Sequence, residues 1–166
     1  MAHYAQRLGL RVHASPFEEA DVKPNVFDVV TMWDYLEHSV DPTRDLRKAA
    51  SLLRQNGLLA ISTGDAGSIP AKVFRSRWHL LTPRHHNFLF TRPSLERAFQ
   101  DAGFDVVLMK YASSRYSLHY LVHKLQTLTD WPALPRLTRR VQRTSFGRRG
   151  IPVNLFDIVT VIGRKS

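Results

Sequence analysis

The chain of 166 residues carries a formal net charge of +10 and contains no cysteine. Its length predicts about one domain, and the missing cysteine excludes a disulfide framework and a thiolate metal site. No stretch reaches the roughly 18 apolar residues of a membrane-spanning helix, and the first residues lack the apolar core of a signal peptide, so we expect a cytoplasmic protein without a transmembrane segment.

The first predicted element is the end of a helix over residues 1–8, which Gly9 terminates. Residues 10–14 favour a short strand, and Pro16 and Pro24 indicate a turn before the next element. No capping residue or strand leads into the helix, so we expect that the sequence begins within an element.

The central stretch, residues 27–65, predicts two neighbouring parallel strands with a helix between them. Residues 27–31 and 58–63 are apolar without alternation, as expected of strands buried on both faces of a parallel sheet. Residues 32–40 follow the first strand. Because ligands bind at the carboxyl ends of such strands, this loop is a candidate binding rim.

The helix between these strands has clear end signals. Asp41 can cap it, and Pro42 suits its first position because a missing N–H costs nothing there. Gly57 is expected to supply the left-handed stop. The apolar positions that recur at helical spacing are Leu46, Ala49, Ala50 and Leu53.

The rest of the chain predicts alternating elements and loops. In order, these are a loop at 64–68, a short helix at 69–77, an irregular segment at 78–91, a helix from Thr91 to Gly103, a strand at 104–110, a helix at 117–129 and a closing strand at 155–162. Asp157 interrupts the apolar run of that last strand. The irregular segment mixes aromatic residues with histidines, which suggests a lid or a substrate-facing insertion.

Residues 124–149 are strongly basic. They contain seven Lys or Arg residues and one acid, Asp130. Such a surface suits nucleic acid, anionic lipid or a phosphorylated substrate. It is also typical of a solvated helix face or of a patch that meets an acidic surface missing from this chain.

The histidines are candidate chemical groups. His79, His85 and His86, with Glu37 and His38, offer metal ligands, but adjacent histidines point in different directions and helical zinc pairs lie one turn apart, so we expect no metal. One histidine acting as general base is more economical. Two alternatives stay open: ordinary loop contacts for the histidines, and satisfaction of N–H groups at the next helix start for Glu37 and His38.

Two further patterns limit the chemistry. Met32 and Trp33 at the end of the first central strand can form the apolar wall of a pocket or simply pack in the core. Neither GxSxG nor a helix-opening GxGxxG or GxxxxGK[ST] pattern occurs, so a hydrolase nucleophile and a phosphate loop both lack support.

Several segments together resemble class I S-adenosylmethionine-dependent methyltransferases, and best the group similar to ubiquinone-biosynthesis and sugar O-methyltransferases. The segments are FDVVTMWDYLEH, the following DP, LLRQNGLLAIST, the W-H pair, RHHNFLF and SLERAFQDAGFDVV. The resemblance covers residues 5–107. It implies a partial doubly wound Rossmann-like α/β sheet, mostly parallel with an antiparallel C-terminal strand, in a single domain over residues 1–166.

The resemblance also exposes a departure from the family pattern. Such enzymes open with a strand leading into a glycine-rich GxGxG loop and a second strand ending in an acid for the ribose, and neither is in this sequence. The resemblance matches residues 1–8 to the helix after that second strand, so we expect that roughly 60 to 90 residues of the usual first half are absent from this sequence. We therefore expect a truncated cofactor site.

The resemblance assigns roles to residues of this chain. His86 is the first candidate for the catalytic base, with His38 second. The expected contacts with the cofactor S-adenosylmethionine are Ser15, Pro16, Phe17, Met32, Trp33 and Asp34. The expected substrate-side residues are Trp78, His79, His85 and Phe88.

The function implied is O-methylation of a small molecule, by a chain that binds the cofactor weakly or not at all on its own. The alternative is a non-catalytic scaffold that uses residues 124–149 to bind an acidic partner. We expect no nucleic acid. Losing the first half would uncover the edge of strand 27–31, so residues 10–14 should pack against it, or the edge should pair with a second copy or with the missing half.

Overall fold

The computed structural model of the chain describes residues 2–119 and 150–166. The chain divides into two compact units, one made of Met1–Lys110 and Asp157–Ser166 and the other of Tyr111–Phe156. That the whole chain acts as one domain stays a prediction. The basic segment 124–149 and the predicted helix after residue 119 lie outside the described residues.

The first unit is built on a four-stranded mixed sheet in the order β1-β2-β6-β3. The strands are β1 (Phe27–Trp33), β2 (Leu53–Gly64), β3 (Phe104–Tyr111) and β6 (Ile158–Lys165). β2 runs parallel to β1 and antiparallel to β6. This confirms the predicted α/β class and the antiparallel C-terminal strand.

The N-terminal segment precedes this sheet. Helix α1 (Ala2–Arg7) ends before Gly9, whose φ of +80° confirms the predicted stop. The strand predicted at residues 10–14 is wrong: these residues have no assigned strand, and only Val12 is half-buried. One partly buried side chain gives too little apolar burial to fix a strand, so this segment does not pair with β1. Pairing of the β1 edge with a second copy stays a prediction.

The predicted strand–helix–strand unit is confirmed, with one correction. β1 pairs with β2 in parallel from Val29 opposite Leu58 to Trp33 opposite Ser62. β1 is an edge strand, however, and the prediction that it is buried on both faces is wrong. Val29 is 52% exposed, and Met32 is its one buried residue.

Helix α2 (Pro42–Leu52) begins as predicted and ends earlier. Asp41 accepts a side-chain hydrogen bond from the backbone N–H of Arg44 at 3.0 Å. Leu53, expected in the helix, is the first residue of β2. The left-handed residue is Asn56 (φ 64°) rather than Gly57, because an asparagine side chain tolerates this conformation.

Helix α4 (Arg92–Asp101) packs against the sheet. The helix begins after Thr91 and ends at Gly103, whose φ is +83°, as the sequence indicated. Thr91 also forms a reciprocal capping box with Ser94, which was not predicted. Phe99 is fully buried against β6 at Gly163. The largest fully buried apolar side chains of the core are Phe99, Phe104, Leu36, Leu46, Leu53, Leu59, Ile61, Leu95, Val159 and Val161.

Between β2 and α4 the chain forms helix α3 (Ile69–Phe74), a 3-10 turn at Arg75–Arg77 and a segment with little regular structure. The short helix and the irregular segment are confirmed. Asp65 and Phe90 form an isolated parallel bridge that closes this excursion at its base. The closing strand starts at Ile158 rather than at residue 155, so Asp157 precedes it and does not interrupt it.

The second unit contains a two-stranded antiparallel sheet. β4 (Ser114–Ser117) pairs with β5 (Gly150–Val153), with Ser114 opposite Val153. Ser117 therefore ends a strand instead of starting the predicted helix. None of the helices in the described part of the chain is long and apolar enough to cross a membrane.

Candidate active site

The candidate site lies where the parallel strands β1 and β2 end. After Trp33 the chain turns at Asp34, whose φ is 48°, and forms a 3-10 helix over Leu36–His38. Asp34 is fixed by β2: its backbone N–H donates to the Ser62 carbonyl (3.0 Å), and Ser62 Oγ donates to its carboxylate (2.8 Å). The neighbouring strand thus holds the turn that carries Glu37 and His38.

Two histidines from distant parts of the sequence meet above this turn. The His38 and His86 rings pack edge to face with their centroids 4.8 Å apart. His38 Nδ1 donates to the carbonyl of His85 (2.6 Å), and His86 Nδ1 donates to the carbonyl of Leu80 (2.8 Å). Because a carbonyl oxygen only accepts, the proton of each neutral ring lies on Nδ1 and the lone pair on Nε2. Both rings are oriented as proton acceptors.

A buried carboxylate completes the cluster. Glu37 accepts from Thr63 Oγ1 at 2.8 Å and is otherwise shielded from solvent. Ligating atoms of Glu37, His38 and His86 lie within 4.8 Å of one another. The cluster therefore has the composition of an acid–base site and of a cation site. The prediction of no metal rested on the spacing of histidines within one segment of the chain. This cluster combines side chains from two separate segments.

The cluster opens into a cavity of about 180 Å³. The lining residues are Asp34, Glu37, His38, Gly64, Leu80, His86 and Ile158. The two predicted catalytic histidines thus share one cavity. Asp34, predicted as a cofactor contact, lies in this cavity with them.

The other predicted cofactor residues gather along β1. One cavity of about 290 Å³ is lined by Phe17, Met32 and Trp33, among others, and a second of about 430 Å³ by Ser15 and Phe17, among others. Phe17, Val30 and Tyr35 belong to both linings. Pro16 lies at the start of the 3-10 helix Phe17–Glu19 and outside both linings. The structure brings residues 15–17 and 32–33 to adjacent cavities.

The predicted substrate-side residues mostly anchor the irregular segment. Trp78 is buried and its Nε1 donates to Asp157 Oδ2 (3.1 Å), and His79 Nδ1 lies 3.5 Å from the same oxygen. Phe88 stacks on Phe90, and His85 contributes its carbonyl to His38. None of these four residues lines the histidine cavity in the described part of the chain. From the irregular segment, Leu80 and His86 line that cavity.

The sequence did not identify Asn87 or Asp157 as residues that organise the site. Asn87 Nδ2 donates to the carbonyls of His38 (3.0 Å) and Ser39 (3.2 Å), and its backbone N–H donates to the Glu37 carbonyl (2.8 Å). This side chain fastens the segment that carries His86 to the turn that carries His38. The one available signal was a polar residue placed directly after the histidine pair.

Comparison with known proteins gives a family match. A family model described as a methyltransferase domain matches residues 5–109. A ubiquinone biosynthesis O-methyltransferase of Xanthomonas euvesicatoria pv. vesicatoria (strain 85-10) is 34% identical in an alignment of length 121 that covers 63% of this chain and 51% of that protein. The chain thus spans about half the length of this curated relative.

Solved structures show the same fold at low identity. A SAM-dependent methyltransferase of Thermotoga maritima matches 100% of this chain and 69% of its own, with a TM-score of 0.62 and 18% identity. A 1,6-didemethyltoxoflavin-N1-methyltransferase of Burkholderia thailandensis, solved with its substrate and S-adenosylhomocysteine, matches 99% of this chain and 56% of its own, with a TM-score of 0.53 and 20% identity. At this identity the likeness concerns the fold alone.

Proposed function

The chain belongs to the class I S-adenosylmethionine-dependent methyltransferases, and from this membership we infer that it serves O-methylation of a small molecule, with His86 as general base. The likeness to a ubiquinone biosynthesis O-methyltransferase supports a hydroxyl acceptor. The observation that carries the proposal is the pairing of His38 and His86 beside Glu37, in one cavity at the carboxyl ends of β1 and β2.

The cavities along β1 partly fit S-adenosylmethionine. Phe17, Trp33 and Tyr35 offer aromatic surface to the adenine and to the methionine chain. Among the described residues, neither lining contains an acid that could accept hydrogen bonds from the ribose hydroxyls. We therefore propose that this chain alone binds the cofactor weakly, through its aromatic walls.

His86 supplies the step that the acceptor requires. When bound, S-adenosylmethionine provides a methyl group on a sulfonium, which is already strongly electrophilic. A hydroxyl acceptor must lose its proton as its oxygen forms the new bond to carbon, and we assign the removal of that proton to His86 Nε2. The hydrogen bond from His86 Nδ1 to Leu80 fixes the ring, and the nearby Glu37 carboxylate stabilises the imidazolium that results.

His38 is the second base candidate. Its Nδ1 is held in the same way, so its Nε2 also carries the lone pair. The backbone of residues 80–87 sets the orientation of both rings.

The proposal is tested by transfer of a labelled methyl group from S-adenosylmethionine, at millimolar cofactor, to a catechol and to the matching aromatic amine. We expect methylation of the catechol, reduced about 10²- to 10⁴-fold by His86→Gln because the proton acceptor is lost. His3→Gln is the matched control, since His3 is exposed on α1. Equal rates for the His86→Gln and His3→Gln variants would remove the assigned base, and methylation of the amine alone would remove the hydroxyl acceptor.

A further inference from the structure

The 3-10 helix that carries His38 ends in backbone carbonyls that need partners from elsewhere in the chain. The last N–H of this helix belongs to Ser39, which donates to the carbonyl of Leu36 (3.2 Å). The carbonyls of Glu37, His38 and Ser39 come after it, where a helix has no further N–H groups to offer. Because Glu37 and Ser39 are buried, other protein groups must donate to this end of the turn.

Asn87 and the residue after it supply these donors. The side-chain amide of Asn87 donates to the carbonyls of His38 (3.0 Å) and Ser39 (3.2 Å). The backbone N–H groups of Asn87 and Phe88 both donate to the carbonyl of Glu37 (2.8 and 3.1 Å). The residue that follows His86 in the sequence therefore closes the end of the helix that carries His38.

The two imidazoles depend on this junction to different degrees. His38 Nδ1 donates across the junction to the carbonyl of His85 (2.6 Å), so this hydrogen bond forms only while the two segments are held together. His86 Nδ1 donates to the carbonyl of Leu80 (2.8 Å), which lies in the same segment as His86. Loosening the junction should therefore release the His38 ring and leave the tautomer of His86 unchanged.

A side-chain amide suits position 87. Its nitrogen carries two N–H donors, which match the two carbonyl acceptors in front of it. An aspartate of the same shape would place a carboxylate oxygen against these carbonyls, and an alanine would remove the side-chain donor altogether. Asn87 is exposed, so neither substitution takes apolar packing from the core.

We propose that Asn87 is a positioning residue that holds the His38 ring against the His86 ring and fixes the proton of His38 on Nδ1. It acts through these two rings and does not itself line the histidine cavity. In methyl transfer the same junction would set the position of His86 relative to the Glu37 carboxylate, which stabilises the imidazolium. This consequence rests on the proposed function, whereas the positioning of the rings does not.

NMR of the imidazole nitrogens tests the proposal without any cofactor. In the full ¹⁵N-labelled chain at pH about 8.5, above the ordinary pKa of histidine, long-range ¹H–¹⁵N spectra distinguish a proton on Nδ1 from one on Nε2. The signals are assigned with His38→Gln and His86→Gln. We expect the proton on Nδ1 of both rings in the unchanged chain. In Asn87→Ala and Asn87→Asp, His38 should become a mixture of tautomers and lose its ring contact with His86, whereas His86 should keep its Nδ1 proton.

Asn154→Ala is the matched control. Asn154 Nδ2 also donates to a backbone carbonyl, that of Tyr111 (3.3 Å), and Asn154 does not line the histidine cavity. This variant should leave both rings unchanged.

The methyl-transfer assay measures the consequence for the reaction. Asn87→Ala should lower kcat for the catechol at least about tenfold and change KM for the cofactor little, because a misplaced base slows the transfer step without altering cofactor binding. An unchanged chain that transfers no methyl group would remove the proposed function, while the tautomer measurement would still decide the role of Asn87.

Three results would overturn the proposal. The first is a His38 ring that keeps its Nδ1 proton and its contact with His86 in Asn87→Ala. The second is an equal change in both rings, which would show general loosening of the segment. The third is an unchanged kcat in Asn87→Ala although His38 is released, which would remove Asn87 from the reaction.

Discussion

Tyr35 joins the turn after β1 to helix α2. Its hydroxyl donates to Asp45 Oδ2 (3.0 Å), which also accepts from Ser39 Oγ (2.6 Å). Burial, reinforced by the hydrogen bond to Asp45, raises the pKa of Tyr35 well above its ordinary value. The phenol therefore stays protonated in the folded chain, where its ring lines both cavities along β1.

This raised pKa predicts a loss of stability in alkali. An unfolded tyrosine ionises near pH ~10, whereas folded Tyr35 keeps its proton, so its contribution is complete below pH ~10 and is lost as the pH rises further. We expect Tyr35→Phe to lower the free energy of unfolding by about 1 kcal/mol at neutral pH. In this variant the free energy of unfolding should also fall less steeply as the pH rises above ~10. Urea unfolding of both chains between about pH 8 and pH 11 measures this. If the free energy of unfolding fell equally steeply with pH in both chains, Tyr35 would not be the source of the alkaline loss of stability.

The site shows what single residues do and do not predict. The sequence indicated His86 and His38 as bases, but it does not reveal that they pair. The fold brings His38 into contact with the His86 ring and with the His85 carbonyl, which lies 47 positions further along the chain. The family resemblance put Trp78 on the substrate side, and this role stays a prediction. Its indole also donates to buried Asp157, a partner 79 positions away that no local pattern reveals.

Helix α2 supports the aromatic wall of the cavities from below. Lys48 Nζ donates to the carbonyls of Glu18 (2.9 Å) and Ala20 (2.7 Å) and lies 5.6 Å from the centroid of the Phe17 ring. Asp45, one turn earlier on α2, holds Tyr35, whose ring meets that of Phe17 edge to face at 6.1 Å. One helix thus positions both aromatic rings.

Removing the Lys48 ammonium should loosen the Phe17–Glu19 turn. We expect Lys48→Met to cost about 1–2 kcal/mol of unfolding free energy and to speed hydrogen exchange at the amides of Glu19 and Ala20, because their local structure loses its two anchors. Lys48→Arg should recover most of the protection. Unchanged hydrogen exchange at these amides in Lys48→Met would show that the Phe17–Glu19 turn is stable without the Lys48 hydrogen bonds.

The contact of α4 with the sheet requires a glycine in β6. A Cβ built on Gly163 would lie 2.6 Å from Phe99 Cδ1, too close for the ring to stay in place. We expect Gly163→Ala to lower the unfolding free energy by about 1–3 kcal/mol in denaturant titrations. In the Phe99→Leu background the same change should cost much less, and equal costs in both backgrounds would refute the steric explanation.

Element types were predictable because periodicity and end signals are local. Asp41, Pro42 and Gly103 act as the sequence indicated. The errors occur where tertiary contacts decide. Leu53 continues the helical spacing of α2, yet pairing with Phe27 draws it into β2, and four residues of β2 then bulge before the register resumes at Val29 and Leu58.

At the scale of the whole molecule, β1 is the edge strand of the four-stranded sheet, and two cavities lie along it. Apolar composition predicted a strand there, but apolar composition cannot tell a central strand from an edge strand, because the neighbouring strands decide. The combination of motifs predicted the methyltransferase fold, since each motif marks a position in one known topology. Residues 124–149, on which the scaffold alternative depends, lie outside the described residues.

Binding of S-adenosylhomocysteine along β1 is the most direct test of the account, and NMR titration of the ¹⁵N-labelled chain measures it even when affinity is weak. Trp33 is 56% exposed and lines a β1 cavity, whereas the Trp78 indole is buried on Asp157. We predict that millimolar ligand shifts the Trp33 indole signal and the amides of Phe17 and Met32, and leaves the Trp78 indole unchanged. Absence of any shift, or shifts confined to residues outside the β1 cavities, would contradict the account.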